Sequence, residues 1–197
     1  MARSRRVFIP GLSAHVIQRG NNRMAIFRRD VDYRFFIAFL RHAAGRYGVH
    51  IHGYVLMTTH VHLIVTPRDA QSLPHAMQNV EAQYCSYYNR AHERTGTIWN
   101  GRYRSLPIRD ERYWLTCLRY VEQNPVRAAM VDTPERYQWS SYYAHALGRW
   151  PEWLTAHRVY LALGHTPEAR QAAYRALCGT PVPDDELQLL RRGQSGV

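Results

Sequence analysis

A chain of 197 residues is long enough to bury a core as one domain with appendages, and its three cysteines, Cys85, Cys117 and Cys178, are too few and too scattered for a disulfide framework or a structural zinc site. Formal charge is +11, from 26 basic residues against 15 acidic ones, and every basic residue is arginine. Arginine offers a planar, permanently charged fork that matches phosphate oxygens and stacks on bases, so the surplus points to nucleic acid. It is unevenly spread: residues 1–29 hold seven arginines and no acid, whereas Asp184, Asp185 and Glu186 mark a more acidic tail. The amino terminus is basic, with too few apolar residues before Pro10 for a signal sequence or a membrane span. A reducing cytoplasm is the expected location.

His15 to Arg19 reads as a first strand, stopped by the turn cluster Gly20-Asn21-Asn22. Asp30 or Asp32 can cap the helix that follows, in which Phe36, Phe39, Leu40, Ala43 and Tyr47 recur at helical spacing until Gly48. Val49 to Met57 and the apolar run after Thr58-Thr59 form two strands that should pair as a hairpin. Ser72 then begins a long helix with the stripe Leu73, Met77, Val80, Tyr84, Tyr87 and Ala91. Arg102 to Ile108 reads as a fourth strand. The order β-α-β-β-α-β predicts an α+β fold of the ferredoxin-like, RRM-like kind: an antiparallel sheet with two helices on one face. The other face is expected to be free, a platform for single-stranded nucleic acid. A further helix from about Asp110 to Gln123 carries Trp114, Leu115, Leu118 and Val121 on one side and Tyr113, Tyr120 and Asn124 nearly opposite. Residues 7–147 are expected to form the main domain. Residues 148–197, with one or two helices to about Arg192, are expected to add an α-helical appendage.

One stretch organises the functional reading. His60 and His62 enter the third strand two residues apart, so alternation puts both imidazoles on one face, half of a divalent-metal site with room for a substrate phosphate. An isolated H-x-H is as readily a pair of polar residues on a solvated face, and His50-x-His52 on the neighbouring strand is a second such pair. A second constellation further on, Tyr120-x-x-x-Asn124, shifts the balance toward a site.

With these residues in place, the chain resembles the REP-associated tyrosine transposases, relatives of the single-tyrosine HUH transposases of insertion sequences. The resemblance rests on Gln18-Arg19-Gly20-Asn21-Asn22-Arg23, on Gly53 to Leu63, on Trp99-Asn100-Gly101-Arg102-Tyr103 and on Leu118 to Ala128, all in order. The turn before His60 reads Met-Thr-Thr-His where relatives commonly have Met-Pro-Asn-His. The resemblance implies that His60, His62 and Asn124 are metal ligands, for Mg²⁺ or Mn²⁺, and that Tyr120 is the nucleophile. It implies an endonuclease and strand transferase acting on single-stranded or hairpin DNA through a covalent phosphotyrosine, as a monomer or homodimer. A phenol is a poor nucleophile at neutral pH unless a cation helps it, which is the role the metal would fill. Arg5, Arg6, Arg19, Arg23, Arg102 and Arg104 are expected to contact DNA. The competing readings are a non-catalytic nucleic-acid-binding regulator and a metal phosphodiesterase that uses water.

Overall fold

The computed structural model describes residues 9–180 together with Val182, Gln188 and Leu190. Arg5, Arg6 and the acidic Asp184 to Glu186 lie outside the described residues. Strand β1 (Ala14–Arg19) leads through a short 3-10 turn to helix α1 (Asp30–Tyr47), then β2 (Val49–Met57), β3 (His60–Pro67), α2 (Ser72–Ala91) and β4 (Arg104–Pro107). The β-α-β-β-α-β order is the one the periodicity predicts.

Local chemistry sets the boundaries. The Asp32 carboxylate accepts the amides of Arg28 and Arg29, each at 2.9 Å, and so closes the first turn of α1. Gly48 ends that helix at φ 68°, a left-handed conformation in which a Cβ is costly. Thr58 and Thr59 make the two-residue turn between β2 and β3, whose ladder runs from Met57 opposite His60 to Val49 opposite Pro67.

The strands lie in the order β2-β3-β1-β4, all neighbours antiparallel. One face carries Val16, Val61, Leu63 and Val65 and packs under α1 and α2, with Phe36, Leu40, Met77, Val80 and Tyr84 in the first core. The opposite face carries His15, Ile17, Arg19, Val55, His62, Ile64 and Arg104, since opposed residues in a ladder share a face.

This second face is not the open platform expected from the element order. Helix α3 (Glu111–Glu122) lies across β2 and β3 and buries Trp114, Cys117, Leu118 and Val121 against Val55, Met57 and Ile64. The physical reason is in the strands. Val55, Ile64 and Ile17 make that face apolar, and covering each such side chain contributes about 1.5–3 kcal/mol. Gly53 permits the close approach, because a Cβ there would collide with Leu118 Cδ1.

Behind α3 come α4 (Asn124–Arg127), α5 (Tyr142–Leu147), α6 (Arg158–Leu161) and α7 (Pro167–Gly179). These cover the outer side of α3, so both of its sides are buried. A fully buried carboxylate ties them together: Glu122 accepts from Ser141 Oγ, from His145 Nδ1 at 2.8 Å, and on its second oxygen from the Tyr174 hydroxyl at 2.7 Å. Burying the group is tolerable because each of its oxygens accepts at least one hydrogen bond. The network anchors the end of α3 that bears Tyr120.

Candidate active site

Strand alternation brings His60 and His62 to the same face, with ring centroids 4.9 Å apart. Their surroundings differ sharply. His60 is half-buried at the start of β3, with Nδ1 3.0 Å from Thr59 Oγ1. His62 is 0% exposed, beneath α3, so the expectation that both imidazoles face solvent is corrected.

Tyr120 is buried as well, at 2% exposure, because the sheet face it meets is roofed by its own helix. Its ring stands edge-on to two histidines, with centroids 6.2 Å from His62 and 6.3 Å from His15. The Arg127 guanidinium lies over the same ring, 3.8 Å from its centroid. Asn124 is buried one turn on and donates from Nδ2 to the Tyr120 carbonyl at 3.2 Å, which leaves its amide oxygen as the ligating atom it can offer.

The rival histidines are otherwise engaged. His52 Nδ1 is 2.8 Å from the Thr155 carbonyl and its Nε2 2.8 Å from Thr66 Oγ1, while His50 is exposed. Tyr113 sits half-buried in the first turn of α3, where Asp110 accepts its amide at 2.8 Å.

Burial sets the charge state of the site. Desolvation lowers His60 to about 4 and His62 well below its usual 6.5, with the neighbouring Arg19 adding to both shifts. Both rings are therefore neutral at physiological pH, the form that binds metal. His62 Nε2 is buried with no hydrogen-bond partner, and in the tautomer that leaves this nitrogen bare a cation would satisfy it. Among the described residues no three His, Cys, Asp or Glu side chains gather around a cation position. A third ligand of another type, such as an amide oxygen, is what the donor set needs.

The sequence profile of the family described as "Transposase IS200 like" matches residues 9–124, more than half of the chain and all four strands. The chain belongs to the IS200-like transposase family. A solved REP-associated tyrosine transposase bound to a REP hairpin has a TM-score of 0.62 to this chain at 19% identity, covering 80% of this chain and 93% of that one. A presumed transposase from Deinococcus radiodurans R1 is 19% identical with a TM-score of 0.44, covering 62% of this chain and 97% of that one. None of the curated proteins matches the sequence. The α+β fold with its antiparallel sheet is thus the fold of IS200-like transposases. No helix among the described residues is long and apolar enough to cross a membrane.

The arginines of this transposase divide. Arg19 stands opposite His60 in the β1–β3 ladder, and its guanidinium is shifted down by burial and by the cations of Arg104 and Arg23, with Tyr120 opposing. Arg19, Arg23 and Arg104 therefore form one field around the His–Tyr group. Arg102 is exposed and lines a surface cavity of about 590 Å³ with Pro74, Cys85 and Trp99, a cavity no member of the His–Tyr group touches.

Three residues of this neighbourhood escape the sequence reading. Arg127 lies seven positions after Tyr120, where a helical wheel puts it near the same side, but the break at Asn124-Pro125 hides that. Glu122 reads as an ordinary surface acid until its three distant donors are known. His15 has the strand parity of Arg19, yet only the ladder register reveals that it meets His62.

Burial of neutral imidazoles has a consequence for acid stability. His15 is lowered to about 3, and His52, His60 and His157 to about 4, from 6.5 in each case. Below pH 6.5 the unfolded chain takes protons that the folded chain refuses, so stability is full above 6.5 and falls as pH drops toward 4. The fully buried His15 and His52 each withdraw on the order of 2 kcal/mol by pH 5. Thermal melts from pH 8 to pH 4.5 are expected to hold level above about 6.5 and then drop steeply. A melting temperature unchanged down to pH 5 would mean that these rings are not desolvated.

Proposed function

We propose that this transposase is a metal-dependent DNA endonuclease and strand transferase that acts on single-stranded or hairpin DNA through a phosphotyrosine at Tyr120. One observation carries the reading: the Tyr120 ring is lodged against His62, whose Nε2 is buried without a partner, under the guanidinium of Arg127 and within the field of Arg19. The sheet, with its H-x-H strand, builds this group from elements far apart in the chain.

His60 and His62, with the Asn124 amide oxygen, are the residues that would hold a divalent ion. When bound, the ion supplies Lewis-acid polarisation of a phosphate oxygen. Two imidazoles with one amide oxygen favour Mn²⁺ over Mg²⁺, which prefers an all-oxygen shell. Tyr120 Oη attacks phosphorus, one P–O bond to DNA breaks as the P–O bond to tyrosine forms, and the proton that the phenol gives up ends on the displaced DNA oxygen, which leaves as a hydroxyl. Bond energy is conserved, so a second DNA hydroxyl can reverse the exchange at a new end.

Arg127 and Arg19 neutralise the scissile phosphate and the developing phenolate.

The deciding experiment incubates the full chain with end-labelled hairpin and single-stranded oligonucleotides and Mn²⁺, then resolves the products on a denaturing gel. A labelled band at the mass of protein plus DNA is expected. Cleavage without an adduct would mean a water-using phosphodiesterase, and binding without cleavage a regulator.

Binding itself should be strongly salt-dependent. A protein neutralising several phosphates on single strands loses affinity with a log–log slope of about −0.7 per contact. Replacing Arg19 or Arg104 with Gln is expected to flatten the slope by about that amount in a salt titration, since each removes one phosphate contact. A slope near zero for the native chain would assign the positive charge another purpose.

A further inference from the structure

His62 cannot choose which of its nitrogens to offer on its own. Its Nδ1 lies 2.8 Å from His15 Nε2, and both rings are sealed from water. The ring centroids are 5.1 Å apart and the planes inclined by only 25°, the spacing of two rings joined edge to edge through that nitrogen contact, so His15 also fixes the plane of His62. The two come from adjacent strands: Ile17 stands directly opposite His62, and His15 is two residues before it on the same face.

Between two neutral imidazoles at this distance one nitrogen must donate and the other accept, and there are two ways to do it. If His15 Nε2–H donates, His62 carries its own proton on Nε2 and cannot use that atom as a ligand. If His62 Nδ1–H donates, the Nε2 lone pair is bare, and Nε2 is the buried atom that has no partner in the protein. The second arrangement leaves His15 holding its proton on Nδ1, itself buried without a partner. Metal ligation selects that arrangement, and ligating histidines characteristically give their other N–H to a fixed acceptor.

We infer that His15 is a positioning residue for the metal site, accepting the Nδ1–H of His62 so that the Nε2 lone pair of His62 faces the cation. This rests on the proposed metal-dependent reading and extends it to a residue outside the H-x-H and Tyr-Asn motifs. His15 touches neither DNA nor metal in this role. It acts only through the ring of His62.

The test measures Mn²⁺ binding to the full chain by titration calorimetry, without DNA, for the native protein, His15→Phe, His15→Gln and His62→Ala, each checked by a thermal melt. Phe keeps the ring volume and removes the acceptor; Gln places an amide oxygen near the position of Nε2. His15→Phe is expected to weaken Mn²⁺ by about 10–100-fold, and His15→Gln to recover affinity to within about threefold of native. Affinity retained in His15→Phe overturns the inference, and so does a Gln variant as weak as Phe, which would make the imidazole itself a ligand.

His62→Ala separates this failure from a wider one. If it too binds Mn²⁺ as the native chain does, the metal site is misassigned. If it does not bind while His15→Phe does, only the role of His15 falls. Should His15→Phe fail to fold, ¹⁵N-histidine spectra of the native protein at pH 7.5 still decide: His62 protonated at Nδ1 and bare at Nε2 is expected, and the opposite tautomer overturns the inference.

Discussion

Tyr120→Phe is expected to lower strand cleavage and covalent adduct formation by at least about a thousandfold, roughly 4 kcal/mol in barrier height, while DNA binding stays near native. The expectation follows from what the ring and the hydroxyl each do. The ring packs edge-on against His15 and His62 and carries the Arg127 guanidinium on its face, contacts that phenylalanine retains. What is lost is the hydroxyl that the proposed reaction uses as nucleophile, while the ring packing that supports the fold stays in place. Tyr113→Phe is the control. Tyr113 is in the first turn of α3, and Asn124 follows it by eleven positions, so the two cannot serve one ion as Tyr120 and Asn124 can across a single turn. Tryptic mapping of the trapped adduct separates the candidates, because cleavage after Arg119 divides them. A nucleotide on the peptide ending at Arg119 would transfer the nucleophile to Tyr113.

Much of this architecture is legible in the residues, and the part that is not has a common cause. Alternation in β3 puts His60 and His62 on one face, and the periodic stripes of α1 and α2 give the order of elements from local pattern alone. What local pattern cannot supply is the partner of a face. Helix α3 shows an apolar stripe and a polar side, which describes a helix on a surface, yet Glu122, between Leu115 and Leu118 on the helical wheel, enters a buried network with Ser141, His145 and Tyr174. Those partners lie 19, 23 and 52 residues further on, and no periodicity links them. For the same reason the sheet face reads as open. Val55 and Ile64 announce that something apolar must cover it, but the sequence does not say that the cover is the helix bearing the tyrosine. His15 is hidden by register, because a shift of one residue along β1 would turn it to the other core.

His60→Ala and His62→Ala should both lose cleavage by about a thousandfold or more, on the scale of removing a ligand from a catalytic cation, but they should part company in stability. His60 is half-buried at the mouth of β3, with its Nδ1 against Oγ1 of the adjacent Thr59. Truncating it removes little packing, and the melting temperature is expected to stay within about 2 °C of native. His62 is enclosed between His15, His60 and Tyr120. Its removal opens a cavity and strands His15 Nε2 without its partner, which should cost about 1–3 kcal/mol for the unpaired group alone. His60→Ala is therefore the cleaner probe of chemistry. An inactive His62→Ala could be blamed on a loosened α3, whereas an inactive, fully folded His60→Ala cannot. The assay is cleavage of a hairpin oligonucleotide with Mn²⁺ beside a thermal melt of each variant. Native cleavage by a folded His60→Ala would remove the metal from the H-x-H strand and leave Tyr120 with the arginines as its only source of positive charge.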